Sequence, residues 1–202
     1  MALVTTDILK EYLPEITGTG SDTELSNLLD RVEATIARWL GFPAPDASNT
    51  PTLAVTTYTL YIDSYWIDDI SVLQLPLKPV VTITSVHADP DREYTADTEV
   101  NSDEYEIDKQ QGLLIIKPDT STVGFTKGYR ANRVIGTFGF TLYHRDLVHA
   151  VCVYASQLHR AKSSQGKKSQ TVRQATTTYS PNTIPLEVKE ILYPYRNSTV
   201  II

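Results

Sequence analysis

Apolar residues recur every three or four positions between residues 21 and 41, and this is the clearest helical pattern in the chain. Ser21 is a favourable N-cap, and Glu24 follows three residues later, as a capping box requires. Gly41 permits the left-handed turn that ends many helices, and Pro43 opposes continuation. The pattern predicts an amphipathic helix whose apolar face is buried. That face contains Leu25, Leu28, Leu29, Val32, Ile36 and Leu40.

Apolar and polar residues alternate from Leu53 onward, and β-branched and aromatic side chains become frequent. Such alternation is typical of strands with one buried face. Gln111 and Gly112 separate two short runs and predict a hairpin turn. The sequence therefore predicts a β-rich block of five or six strands. We place these strands at residues 53–62, 71–75, 79–86, 105–108, 113–117 and 132–140.

The helical pattern returns in residues 146–161, where an apolar stripe contains several alanines that allow close approach of a second helix. Residues 162–178 are rich in Ser, Thr, Gln and Lys and predict a mobile loop. Pro185 favours the start of a short helix over residues 186–192, which Pro194 ends. Near the N-terminus, a further short helix is predicted over residues 7–13, with Thr5 or Thr6 as its cap.

The order of these elements predicts an α+β fold, a small helical bundle of about four helices with an inserted β-rich block. Residues 1–51 would supply the N-terminal helices and residues 52–143 the block. Residues 144–202 would supply the C-terminal helices, a basic loop and a docking tail. We expect the helix over residues 21–41 to bury its apolar stripe against the helix over residues 146–161.

The net charge of −6 conceals an uneven distribution. Residues 1–143 contain 10 Lys and Arg against 21 Asp and Glu, whereas residues 144–202 contain 8 against 3. Acidity peaks in residues 87–108 and basicity in residues 160–173. The split favours either an assembly whose neighbours pair opposite charges or two solvated loops of opposite sign.

Several classes of protein are disfavoured by the sequence. No apolar run approaches the roughly 18–20 residues that cross a bilayer, and residues 1–13 lack the features of a signal peptide. The single cysteine, Cys152, excludes an intramolecular disulfide and a cysteine-based zinc site. We therefore expect a buried thiol in a protein that folds in a cytoplasm.

Two groups of residues are candidates for metal binding or acid–base chemistry, because carboxylates and histidine close together can do either. Neither group matches a defined metal-binding loop, and exposed turns are the favoured interpretation. The chain also has no HExxH, Walker or GxSxG motif. No catalytic, cofactor-binding or metal-binding residue is therefore predicted. The first group contains Asp63, Asp68 and Asp69, and the second contains His87, Asp89 and Asp91.

Two further segments are candidates for binding. The basic segment suits contact with DNA phosphates or with a neighbouring subunit, and a solvated or protein-binding loop is the alternative. The C-terminal segment combines Tyr, Arg and aliphatic residues, and Tyr and Arg are enriched in interface hot spots. It either docks on a partner or packs on the chain's own core. The basic candidates are Arg160, Lys162, Lys167, Lys168 and Arg173, and the C-terminal candidates are Leu186, Leu192, Tyr193, Tyr195, Arg196, Val200, Ile201 and Ile202.

Three stretches, in this order, resemble the head–tail connector proteins of tailed bacteriophages and gene transfer agents, which are also called adaptor or head-completion proteins. The first is ALVTTDILKEYL followed by SDTELSNLLDRVEATIARWLGFP, and the second is RVIGTFGF followed by HRDLVHAVCVYASQLHRAK. The third is IPLEVKEILYPYR. The second stretch starts its helix with His144-Arg145-Asp146 and lacks the proline that is frequent there in the family. The β-rich block resembles the family less.

The resemblance implies a structural protein rather than an enzyme. Such proteins form a ring, commonly of twelve subunits, that sits beneath the portal in the virion neck and extends the DNA channel. The ring is a platform for a stopper or tail-completion protein, lies close to packaged DNA without a membrane, and would be assembled in the host cytoplasm. The segment that reaches into the portal would be residues 186–202. The alternatives are a tail terminator, a baseplate component, or a metal-dependent hydrolase that uses His87, Asp89 and Asp91.

Overall fold

The structure, a computed structural model, describes residues 4–45, 50–64, 71–118, 124–141, 144–162, 169–172, 175–178 and 184–197. In these residues the chain forms helices and antiparallel strands, which confirms the predicted α+β class. The helices are α1 (Thr6–Glu11), α2 (Asp22–Leu40), α3 (Arg145–Ala161) and α4 (Leu186–Leu192). The strands are β1 (Thr56–Ile62), β2 (Val72–Gln74), β3 (Val80–Ala88), β4 (Tyr105–Asp108), β5 (Leu113–Ile116), β6 (Asn132–Phe138), β7 (Ser169–Val172) and β8 (Ala175–Thr178).

The chain divides into two compact units. The helical unit comprises Met1–Leu40 and Tyr143–Arg196, and the sheet unit comprises Gly41–Leu142 and Asn197–Ile202. The helical unit contains α1 to α4 with β7 and β8, and the sheet unit contains β1 to β6.

The helical unit is built around the contact of α2 with α3, as the sequence predicts. All six residues of the predicted α2 stripe are buried. The facing side of α3 buries Leu147, Val151 and Tyr154, and the small Ala150 and Ala155 are fully buried beside them. Helix α1 packs against both of these helices, and α4 packs against α3.

The first turns of α1 and α2 show which caps the chain uses. Thr5 caps α1, because its hydroxyl oxygen accepts a hydrogen bond from the Ile8 N–H at 3.4 Å. The Ser21 carbonyl accepts the Leu25 N–H at 2.9 Å, so Ser21 lies at the start of α2. The Glu24 carboxylate of the predicted capping box contacts Lys162 Nζ at 2.5 Å. Glu24 thus joins α2 to the residue that follows α3.

Residues 169–178 correct the predicted mobile loop. Strands β7 and β8 pair antiparallel, with Ser169 opposite Thr178 and Val172 opposite Ala175. Their sequences, SQTV and ATTT, are rich in β-branched residues, and only two residues connect them. The high content of hydroxyl side chains suggested a solvated loop, but threonine also favours paired strands.

The predicted bounds of α4 are confirmed, since the helix ends at Leu192, two residues before Pro194. The chain then turns through a 3₁₀ helix, Tyr193–Tyr195, that contains Pro194. Proline is compatible with the first turn of a helix, because the N–H that it lacks has no partner there.

The sheet unit contains two three-stranded antiparallel sheets, in the orders β1-β6-β3 and β2-β5-β4. Strand β6 alternates buried and half-buried residues along its length, and β1 alternates buried and exposed ones. The buried side of the first sheet includes Tyr58, Leu60, Val134 and Phe138. The hairpin of β4 and β5 confirms the predicted turn at Gln111 and Gly112.

Backbone packing shortens the predicted strands at one end of the first sheet. The Phe140 N–H donates to the Leu53 carbonyl at 3.0 Å, and Ala54 forms only an isolated bridge to Phe140. Between them Gly139 has a φ of 121°, and a Cβ there would lie 2.7 Å from the Ala54 carbonyl oxygen. Only glycine fits this approach, so β1 begins at Thr56 and β6 ends at Phe138.

Candidate interaction surfaces

Helix α4 divides the predicted docking residues into two groups. Val188 and Leu192 face the interior and are fully buried, which holds α4 in the helical unit. Leu186 and Tyr193 point outward and are 71% and 69% exposed. Large apolar side chains are thus exposed at Leu186, where α4 begins, and at Tyr193, directly after its end.

The residues after α4 are held by the helical unit. The Tyr195 hydroxyl donates to Asp146 Oδ2 at 3.0 Å, and its ring lies 5.6 Å from the His144 ring. Burial, followed by the bond to Asp146, raises the pKa of Tyr195. The Arg196 guanidinium lies 5.3 Å from the Trp39 ring centroid, a cation–π contact.

The described residues of the C-terminal segment differ in their contacts. Leu192 is buried, Tyr195 is half-buried beside Asp146, and the exposed Arg196 lies over Trp39, whereas Leu186 and Tyr193 are exposed. In the sheet unit, Asn197 is 5% exposed, and its side-chain oxygen accepts the Lys78 N–H at 2.9 Å. The predicted docking residues Val200, Ile201 and Ile202 lie outside the described residues.

The two described members of the basic segment are bound to acceptors of the helical unit. Arg160 Nε lies 3.1 Å from Glu15 Oε1, and Arg160 Nη2 donates to the Tyr12 carbonyl at 2.8 Å. Lys162 contacts Glu24, as described above. Hydrogen bonds from Arg160 and Lys162 lower the pKa of Glu15 and of Glu24. The remaining candidates, Lys167, Lys168 and Arg173, lie outside the described residues.

A groove of about 660 Å³ runs between α2 and α3. Its walls mix charged residues, such as Glu24, Arg31 and His159, with apolar ones, such as Leu28 and Leu158. Among the described residues that line it, Glu24 is the only carboxylate and His159 the only histidine.

The candidate group His87, Asp89 and Asp91 has a structural role. Asp89 is only 3% exposed, which corrects the prediction of an exposed turn at this residue. Its carboxylate accepts the N–H groups of Asp91, Glu93 and Tyr94 at 2.7–2.9 Å. Burial alone would raise the pKa of Asp89, but these backbone donors hold it below its ordinary value. His87 Nδ1 lies 3.2 Å from the Thr95 carbonyl oxygen.

The other carboxylate group does not form a metal site in the described structure. Asp63 Oδ1 accepts the Arg130 N–H at 2.8 Å, and Asp68 and Asp69 lie outside the described residues. Across the ranges that the structure describes, no three His, Cys, Asp or Glu side chains come together as metal ligands. Cys152 is fully buried, and burial raises the pKa of its thiol to about 11.

Sequence reasoning missed a surface at one end of the first sheet, the Tyr/Arg patch, which consists of Tyr61, Tyr94, Tyr129, Arg130 and Arg133. The Arg130 guanidinium lies 5.7 Å from the Tyr61 ring centroid and 5.2 Å from that of Tyr129. Arg133 lies 4.6 Å from the Tyr94 centroid, and the Tyr61 and Tyr94 rings are 5.7 Å apart. Tyr61 and Tyr129 are 42% and 46% exposed.

Strand register brings this patch together. Tyr61 on β1 lies opposite Arg133 on β6, and Arg133 lies opposite His87 on β3. Directly opposed residues project from the same face of a sheet. In the sequence, the adjacent pair Tyr129 and Arg130 is the local signal of this patch. The residues that they meet, Tyr94 and Tyr61, lie about 35 and 70 residues earlier in the chain. The strand register is therefore needed to identify the patch.

Among the helices that the structure describes, none is long and apolar enough to span a bilayer.

No protein-family model and no curated protein matches the sequence. Solved structures do match the fold. A chain from the neck of an empty GTA particle, computed with C6 symmetry, matches 100% of this chain and 96% of its own length, with a TM-score of 0.52 and 14% identity. A chain from the virion of a native gene transfer agent (GTA) particle likewise matches 100% of this chain and 96% of its own length, with a TM-score of 0.52 and 16% identity. This chain therefore shares its fold with components of these particles.

Proposed function

We propose that this protein is a non-enzymatic structural component of a virion neck. Its specific role would be that of an adaptor, a ring beneath the portal that extends the DNA channel and carries the stopper or tail-completion protein. The observation that carries the proposal is the likeness to chains from a GTA neck and virion, which extends over the full length of this chain. A likeness of that extent includes both helices and sheets, so it is more than one common motif.

The exposed residues of α4 support a docking role. Leu186 and Tyr193 are held at fixed positions by the buried Val188 and Leu192 between them. Preorganised apolar side chains reduce the entropy that is lost on binding. The portal would bind this surface together with the residues beyond Asn197.

A ring is the assembly we propose, with twelve subunits as the family implies. The GTA neck whose chain matches was computed with C6 symmetry, and twelve subunits are compatible with a sixfold axis. The proposed location is the neck between capsid and tail, with assembly in the host cytoplasm.

The test is reconstitution with the portal protein of the same particle, followed by electron microscopy and light scattering. We expect a ring of this chain on the portal. The double variant Leu186→Ser/Tyr193→Ser should fold normally and lose portal binding. The exposed substitution Asp30→Lys in α2 is a matched control that should bind normally. A wild-type chain that does not bind the portal, or a double variant that binds as tightly as wild type, would overturn the proposal.

A further inference from the structure

The Tyr/Arg patch is held rigidly by groups that surround it. The Asp89 carboxylate fixes the turn before Tyr94, and the Tyr94 hydroxyl donates to the Arg130 carbonyl. Arg92, Tyr94 and Arg130 have φ values of 65°, 50° and 50°. Non-glycine residues in this region cost free energy, and such strain concentrates at functional sites. Three of them around one cluster indicate that its geometry serves a purpose.

The arginines of the patch retain donors for a ligand. The Arg130 side chain is exposed and stacks on two tyrosines, and stacking leaves the edge of a guanidinium free for a carboxylate. Arg133 Nε is buried, and no acceptor in the described part of the chain bonds it. This nitrogen is closed to solvent, so a partner would reach the patch through the exposed Arg130 side chain.

The charge around the patch favours a protein partner over a nucleic acid. Residues 87–94 and 127–133 contain four cations, and the same segments together with Asp63 contain three carboxylates outside the interior, since Asp89 is buried. A surface that binds phosphate backbones carries an excess of positive charge. A surface with a small positive excess that is rich in Tyr and Arg is instead typical of the core of a protein interface.

The same unit carries a complementary surface, the acidic segment, residues 97–108. It contains six carboxylates and no Lys or Arg. Asp97, Glu99 and Glu106 are exposed, and within the described ranges their carboxylates form no ion pair. Strand β4, which ends this segment, is an edge strand of its sheet. The segment is therefore open to an approaching partner.

We infer that the Tyr/Arg patch binds the acidic segment of a second copy of this chain. Two unlike surfaces on one chain allow a head-to-tail contact, which forms a ring when the rotation between copies closes and an open filament when it does not. The inference rests on the proposed function, because it names the surfaces through which the neck ring would close.

Charge reversal on each side tests the contact. The patch variant is Tyr129→Ser/Arg130→Glu, and the acidic-segment variant is Glu99→Lys/Glu106→Lys. Self-association of the wild-type chain is measured by sedimentation up to roughly 1 mM, where contacts with a Kd of about 1 mM are populated. Each variant alone should associate about tenfold more weakly than the wild-type chain, or not at all. A 1:1 mixture should associate more strongly than either variant alone, because each mixed pair keeps one intact contact. Asp30→Lys should behave like wild type.

A cross-link identifies the partner even where association is weak. A photoreactive benzoylphenylalanine replaces Tyr129 in the full chain, and isotopically labelled and unlabelled chains are mixed before irradiation. We expect mass spectrometry to find residues 97–108 joined to position 129 of a different copy. Cross-links to other segments only, no cross-link between copies, or variants that associate like wild type would overturn the inference. Binding of single-stranded DNA that the patch variant abolishes would also overturn it.

The outcomes separate the two proposals. If the chain forms a ring on the portal and charge reversal leaves that ring intact, the inference fails and the proposed function stands. If the chain does not bind the portal but position 129 cross-links to the acidic segment, the proposed function fails and the contact between copies stands.

Discussion

At the scale of single residues, two positions in the sheet unit depend on atoms that a substitution would displace. Gly139 brings the backbone of residues 53 and 54 closer than any side chain permits. The Asp89 carboxylate accepts hydrogen bonds from three backbone N–H groups in one turn. Both residues shape the sheet that carries the Tyr/Arg patch.

Gly139→Ala should destabilise the protein by about 2–4 kcal/mol, because a Cβ would lie within 2.9 Å of two carbonyl oxygens at a strained φ. Gly20→Ala is the control, since nothing lies within 4 Å of its added carbon, and it should change stability by less than about 0.5 kcal/mol. Chemical denaturation measures both. Equal stabilities of the two variants would contradict the close approach at Gly139.

Asp89→Asn should destabilise the protein at neutral pH, because the amide has one acceptor oxygen for donors that two carboxylate oxygens now share. The folded pKa of Asp89 lies below its ordinary value of 3.8, so the carboxylate stabilises the fold above that pH. That stabilisation is lost as the pH falls through the folded pKa. The difference in melting temperature between wild type and Asp89→Asn should therefore shrink as the pH is lowered from about 6 to about 3. A difference that is constant over this range would contradict the assignment.

At the scale of elements, helix α4 combines a structural face and an exposed face within seven residues. The spacing of Val188 and Leu192 by four places both on one side of the helix. Leu186 lies off that side, and the chain turns at Tyr193 into the 3₁₀ helix. Position on the helix, rather than hydrophobicity, decides which leucine supports the fold.

Leu192→Ala should destabilise the protein by about 2–4 kcal/mol, because it removes a fully buried side chain and leaves a cavity. Leu186→Ala, the same chemical change at a 71% exposed site, should cost less than about 0.5 kcal/mol. Urea denaturation of the two variants in parallel provides the comparison. A large loss for Leu186→Ala would show that this side chain is not a free docking residue.

At the scale of the whole molecule, two deletions of the C-terminal segment distinguish its anchoring contacts from its proposed docking role. Deletion of residues 195–202 removes Tyr195, which bonds Asp146, and Asn197, which bonds Lys78. Deletion of residues 198–202 alone keeps both bonds. The shorter deletion therefore tests docking without removing these anchors.

We expect the 198–202 deletion to keep the melting temperature of the full chain within about 2 °C and to lose portal attachment. The 195–202 deletion should lower the melting temperature as well, since it removes the Tyr195 and Asn197 contacts. Calorimetry and portal co-sedimentation measure the two effects separately. Attachment of the 198–202 deletion at wild-type strength would contradict the proposed docking role of residues 198–202.

The sequence by itself determined the elements whose pattern is local. The stripe and ends of α2, the buried face of α3, the start of α4 and the β4–β5 hairpin all follow from periodicity, caps and turn residues. The order of the predicted helices and strands likewise led to the fold class, and the three resembling stretches led to the connector role that we propose. These features depend on neighbours a few residues apart, so one sequence contains the information.

Only the tertiary structure decided the features that join distant residues. Glu24 meets Lys162 instead of closing a capping box, and Asp89 is buried by a turn that looks solvated in sequence. The Tyr/Arg patch exists because the register of β1 and β6 places Tyr61 opposite Arg133. A register shift of one residue would turn the Tyr61 side chain to the other face of the sheet. Packing of the whole sheet sets that register, and for this reason no local pattern in the chain reveals the patch.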